Sequence, residues 1–134
     1  MTVFLDTNVF AYLYDETAEE KRRVAAEVLE NHAADAVIST QVLIELHAVL
    51  TRIGLSREHA ARVLDAIEID VVTTDEHLVR RAATTAAEHQ LSIFDALILE
   101  AAASSGCEEL WTEDLAAGST LRGVRIVNPF AGVA

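Results

Sequence analysis

Five short apolar runs, separated by longer stretches of helical spacing, constrain this chain more than any other feature. Thr2 to Leu5, Ala36 to Ile38, Ile69 to Thr73, Glu109 to Thr112 and Gly123 to Val127 read as strands, because they are brief, mainly apolar and contain β-branched or aromatic residues. The intervening segments read as helices. Asn8 to Tyr14 has helical spacing, and Thr17-Ala18-Glu19-Glu20 has the form of a capping box opening a helix to about Asn31. Ser39 or Thr40 can cap a helix that ends at Gly54, and Ser56 one that runs through Ala66. Thr74 can cap a helix to about His89, and Ser92 one stopped by Gly106. Strands alternating with helices imply an α/β fold of three layers, α/β/α. Short apolar strands further imply a mostly parallel central sheet covered on both faces. Ligands of such sheets bind beyond the carboxyl ends of the strands.

A chain of 134 residues, half of them hydrophobic, is expected to form a single domain over residues 1–134 with one buried core. Its apolar runs fall far short of the roughly 20 residues that span a bilayer. The N-terminus lacks the basic start and apolar stretch of a signal peptide, so a cytoplasmic protein is expected. Cys107 is the only cysteine, which excludes an intramolecular disulfide and a cysteine-based metal site.

Four acidic residues stand beside different apolar segments. Asp6 closes Val3-Phe4-Leu5, Glu45 interrupts Val42-Leu43-Ile44 and Leu46, Asp95 sits within Ile93 to Ile98, and Asp114 follows Leu110-Trp111-Thr112. Carboxylates seldom enter apolar surroundings unless something offsets their desolvation. Four of them converging would need cations, and the strand-and-helix order permits convergence. Asp6 and Asp114 follow strand ends, while Glu45 and Asp95 fall in early turns of helices.

Each also has a plainer explanation. Asp6 can cap the next helix. Glu45, with Val42 and Val49 at minus three and plus four, lies on or beside a buried stripe, though a solvated edge position is open to it. Asp95 stands in capping-box spacing with Ser92 and in the favourable field of a helix start, yet Ile98 and Leu99 place it above an apolar face. Asp114 can be a turn residue, but Thr112 and Asp114 lie two apart and can reach one cleft. Asp15, Asp35, Asp65, Asp70 and Asp75 read as solvated or capping.

The five histidines have no metal-ligand spacing, so an oxygen-ligated magnesium or manganese ion is favoured over zinc. No nucleophile elbow, phosphate-binding glycine loop or dinucleotide fingerprint is present. The formal charge of −12, with Lys21 as the only lysine, points away from a nucleic-acid binder. Bound cations would neutralise part of that charge, and an acidic surface suits a basic partner. The basic residues are also clustered, as Lys21-Arg22-Arg23 and Arg80-Arg81, with Arg52, Arg57, Arg62, Arg122 and Arg125 elsewhere.

Leu5-Asp6-Thr7-Asn8, the helical Glu45, Phe94-Asp95-Ala96-Leu97-Ile98 and Leu110-Trp111-Thr112-Glu113-Asp114-Leu115, taken in this order, resemble the PIN domain, in particular the VapC-type toxins. Gly123 to Phe130 is similar to that family's closing strand and tail. The resemblance implies a PIN-like fold and a magnesium- or manganese-dependent endoribonuclease, the toxin of a type II toxin–antitoxin pair. Its metal ligands would be Asp6, Glu45, Asp95 and Asp114, with Glu113 an alternative to Asp114. Thr7 or Asn8, together with Thr112, would support the site. The partners implied are an RNA substrate, a cognate antitoxin protein and a second copy of the chain in a homodimer, with no membrane association. Arg80 and Arg81 could grip RNA at the cleft rim, but a solvated helix face is the favoured reading of them.

Other readings remain. A PIN-like module that binds RNA or protein with weak or no catalysis would be expected to have lost part of the acidic set. A receiver-type phosphoacceptor needs a lysine near its aspartate, and Lys21 lies in an early helix. An aspartate-nucleophile phosphatase would want an acid where Asn8 stands.

Overall fold

The computed structural model describes residues 1–134. Strand β1 (Val3–Leu5) is followed by α1 (Thr7–Ala11), a single 3-10 turn (Tyr12–Tyr14) and α2 (Glu19–His32). Next come β2 (Ala36–Ser39), α3 (Thr40–Arg52), α4 (Arg57–Ala66) and β3 (Asp70–Val72). The chain continues through α5 (Glu76–His89), α6 (Ile93–Ser104), β4 (Glu109–Trp111), β5 (Thr120–Leu121) and β6 (Val124–Val127). The sheet runs β3-β2-β1-β4-β6-β5, and every pairing is parallel except that of β5 with β6. This is the expected α/β/α arrangement with a mostly parallel sheet.

Sheet order locates the ligand-binding edge. From β1 the chain steps outward to β2 and β3, then returns across the sheet to lay β4 on the other side of β1. Right-handed crossovers put the helices of the outward steps on one face and those of the return on the opposite face. The packing agrees, since α3 contacts α1 and α4, whereas α5 packs on α6. The direction of winding therefore reverses between β1 and β4, and the carboxyl ends of those two strands flank the crevice where ligands bind in open α/β sheets.

Burial follows from the sequence pattern. Val3, Phe4 and Leu5 are completely buried, as a central strand covered on both faces requires. Helix α3 buries Val42, Leu46 and Leu50, a stripe at intervals of four, and Ser39 caps it by accepting from the Val42 N–H. Helix α6 buries every residue from Ala96 to Ala102, because it packs against strands β2, β4 and β6 and against α5.

Three sequence-based expectations need correction. Strand β5 is a sixth strand, only two residues long, and is held by antiparallel pairing with β6. No capping box opens α2: its cap position is Ala18, and the Thr17 N–H and hydroxyl both donate to Asp15 Oδ1. Asp75, not Thr74, caps α5 through the Leu78 N–H, while the Thr74 N–H donates to Thr40 Oγ1. A carboxylate one position further along wins that cap because an ionised acceptor makes the stronger bond. Arg80 and Arg81 lie on a solvated face of α5, as favoured from the sequence, where Arg80 pairs with Glu76 and Arg81 meets His77; neither lines the acidic cleft.

Candidate active site

Asp6, Glu45, Asp95 and Asp114 line one cleft of about 390 Å³ at the carboxyl end of the sheet, together with Thr7, Asn8, Tyr12, Arg52 and Glu113 among others. Each reaches it from a different element. Asp6 ends β1 and, as the α1 cap, does what the plainer reading expected: Oδ1 accepts from the Thr7 N–H at 2.7 Å. Oδ2 accepts from Thr112 Oγ1, also at 2.7 Å, across the β1–β4 junction. That hydroxyl in turn accepts from the Asp114 N–H at 3.0 Å, so one buried threonine fixes both acids.

Glu45 is half-buried on α3. Its Oε1 accepts from Thr7 Oγ1 at 3.2 Å and from Gln41 Nε2 at 3.4 Å. The Gln41 amide also donates to the Phe94 carbonyl at 3.1 Å, tying the start of α3 to the start of α6. Asp95 occupies the first turn of α6, its N–H donating to the Ser92 cap at 3.1 Å. Asp114 sits at the mouth of the cleft, where Oδ2 accepts from Asn8 Nδ2 at 3.3 Å.

Glu113 and Asp114 differ in what their carboxylates already hold. Glu113 Oε1 accepts from the Tyr12 hydroxyl, and Oε2 faces Lys21 Nζ at 3.3 Å. Lys21 also donates to the Tyr12 oxygen at 3.1 Å, and Tyr12 rests edge-on against Phe130 at 4.8 Å between ring centroids. Both Glu113 oxygens are thus engaged in a clamp. Asp114 holds only the Asn8 amide.

Asp6, Glu45 and Asp114 each have a raised proton affinity, with burial as the largest cause. Asp6, only 6 % exposed, has its pKa pushed up to about 6, chiefly by burial. The bonds from Thr112 and Thr7 oppose that shift, and the charges of Asp114 and Glu45 add to it. Glu45 is raised by burial, against the pull of Gln41 and Thr7, and further by Asp95 and Asp114. Asp114 is raised by burial, then by Asp95 and Glu113, with Asn8 opposing.

The donor set suits a hard divalent cation. The acidic groups of the cleft offer only oxygen, with no histidine or cysteine among its lining residues. Asn8 Oδ1 is buried without a hydrogen-bond partner, an acceptor free for an ion or its water. No three His, Cys, Asp or Glu side chains already form a set able to hold an ion. An open carboxylate cleft is compatible with magnesium, which keeps several of its waters and takes one or two carboxylates.

Two contributors were not legible as site residues. Gln41 lies one helical turn before Glu45, which is the only signal that could have exposed it. Arg52 lies seven residues after Glu45, on the same stripe.

The PIN domain model matches residues 3–117, and the chain belongs to that family. Solved structures with the same fold include VapC20 of Mycobacterium tuberculosis, described as a sarcin–ricin-loop-cleaving toxin. It is 21% identical, with a TM-score of 0.71 over 84% of this chain and 92% of that one. A toxin–antitoxin complex from Klebsiella pneumoniae is 22% identical, with a TM-score of 0.72 over 96% of this chain and 98% of that one. DNA-bound VapBC from Salmonella typhimurium is also 22% identical, with a TM-score of 0.70 over 94% and 96%. No curated protein matches the chain. None of its helices is long and apolar enough to cross a membrane.

Proposed function

We propose that the chain is a magnesium- or manganese-dependent endoribonuclease and the toxin of a toxin–antitoxin pair, folded as one domain over residues 1–134 and acting in the cytoplasm. The observation that carries this reading is the meeting of Asp6, Glu45, Asp95 and Asp114 in one cleft where the sheet reverses its winding. PIN family membership supports the nuclease assignment. Similarity to toxin–antitoxin complexes supports a cognate antitoxin, and the charge of −12 favours a basic partner. Ile44, Ile93 and Phe94 lie exposed on early turns of α3 and α6, an apolar surface that supports a homodimer.

Asp6, Glu45, Asp95 and Asp114 would hold the cation, with Asn8 Oδ1 available to it or to its water. The bound ion would lower the pKa of water and offset the negative charge that grows on the phosphoryl and leaving oxygens. The chain's own residues prepare that site. Thr112 and the Thr7 N–H hold the Asp6 carboxylate, Thr7 Oγ1 and Gln41 hold Glu45, and Asn8 holds Asp114. Supporting bonds of this kind orient ligands and limit their side-chain freedom. The clamp of Tyr12 and Lys21 keeps Glu113 engaged, which supports Asp114 as the fourth ligand.

Cleavage of a mixed cellular RNA pool by protein freed of co-purifying inhibitor tests the reading. Discrete cuts with magnesium or manganese, absent with chelator and absent in Asp95→Asn, are expected. Equal cutting by the variant, or none by either protein, would overturn it.

A further inference from the structure

We infer that Arg52 is a substrate-positioning residue, whose guanidinium holds a backbone phosphate of the bound RNA a few nucleotides from the bond that is cut. This rests on the nuclease reading above and names the group that lets an acidic cleft accept a polyanion. Six of the residues lining the cleft are acidic (Asp6, Asp15, Glu45, Asp95, Glu113 and Asp114), and Arg52 is the only basic one. Magnesium or manganese would act at the carboxylates, but the strand on either side of the cut carries further phosphates that need a cation of their own.

Arg52 is free to supply it. Its side chain takes part in none of the ion pairs of the structure, whereas Arg80, Arg122 and Arg125 are each paired with a carboxylate. Its position is set by α3. Glu45, Val49 and Arg52 recur at intervals of four and three, so they form one stripe along the helix, and all three line the cleft. A rise of 1.5 Å per residue puts Arg52 roughly 10 Å along the axis from Glu45. A single strand spans that distance with a few nucleotides. A guanidinium there offers a planar fork that matches two phosphate oxygens. The negative end of the α3 dipole lies at the same turn and favours a cation there.

The test uses a short, labelled, single-stranded RNA of mixed sequence at constant magnesium. Binding is measured against sodium chloride in an Asp95→Asn background, so that the probe stays intact, and cleavage kinetics are measured in the otherwise wild-type chain. Arg52→Ala should weaken binding about fivefold at low salt, the upper end for one exposed ion pair. It should also flatten the plot of log affinity against log salt by about 0.7, the contribution of one phosphate contact on a single strand. In turnover it should raise KM and leave kcat little changed, and Arg52→Lys should restore the salt slope. The thermal midpoint should fall by no more than a few degrees, since the exposed side chain has no ion-pair partner and loses only its attraction to the helix end. An Arg52→Ala chain that cuts RNA with the wild-type KM and salt slope would overturn the assignment while leaving the nuclease reading standing. A wild-type chain that neither binds nor cuts RNA would overturn both.

Discussion

Replacing Asp6 by asparagine should make the cation-free protein more stable at neutral pH, even though it removes a proposed catalytic ligand. The folded pKa of about 6, against an ordinary value of 3.8, is a difference of roughly two units, or about 3 kcal/mol of strain on the ionised form. Asparagine removes that charge but replaces one acceptor with a donor. Its oxygen can keep the Thr7 N–H and its amide can donate to Thr112 Oγ1, whose own proton then loses Asp6 Oδ2. That loss offsets about 1 kcal/mol. A net gain of about 1–2 kcal/mol remains, which for a domain of this size raises Tm by roughly 3–8 °C.

The sign with pH follows from the raised pKa. The folded state binds the Asp6 proton more tightly than the unfolded chain, so the destabilisation is complete above about pH 6. It is released as pH falls from there towards 3.8. The advantage of Asp6→Asn should therefore shrink steadily across that window. Calorimetry in chelator from pH 7 to pH 4 measures it directly. Manganese should raise the wild-type Tm and have much less effect on the variant. A variant less stable than wild type at pH 7 in chelator would refute the reasoning, because Asp6 would then act as a net stabilising cap.

Asp95→Asn should abolish cleavage while shifting stability by less than about 1 kcal/mol, since the lost attraction to the helix start is balanced by relief of repulsion from its neighbours; circular dichroism and RNA cleavage check the two halves. Thr112→Val should destabilise by about 2 kcal/mol, measured by denaturant unfolding, because it strips Asp6 of a donor and leaves the Asp114 N–H without its acceptor. Arg122→Ala should destabilise by about 2 kcal/mol or more, by the same assay. The completely buried Glu100 would then keep only the Thr85 hydroxyl. Metal-dependent RNA cutting at temperatures where that variant stays folded should persist.

The architecture was readable because its signals are local: apolar runs for strands, a four-residue stripe for α3 and a serine cap before α6. Strand β5 was not, since two residues paired with a neighbouring strand leave no run of their own. The acidic set was readable by a desolvation argument, and Asp6 proves to cap α1 as well as line the cleft. The same argument could have flagged Glu100 and Glu109, buried carboxylates of the same kind, but their partners Arg122 and Arg125 stand 22 and 16 residues away. Sequence spacing does not show which buried acid has an arginine to neutralise it. It likewise does not show which arginine reaches the cleft. The adjacent pair Arg80-Arg81 could be named for that role but not placed, and it lies outside the cleft, while isolated Arg52 lies on the Glu45 stripe.

Anomalous diffraction from crystals grown with manganese tests the central claim most directly. The account predicts a manganese peak in the cleft, within coordination distance of Asp6 and of at least one of Glu45, Asp95 and Asp114, and no such peak in Asp6→Asn crystals. A cleft without manganese, in crystals prepared at a concentration that supports RNA cutting, would contradict it.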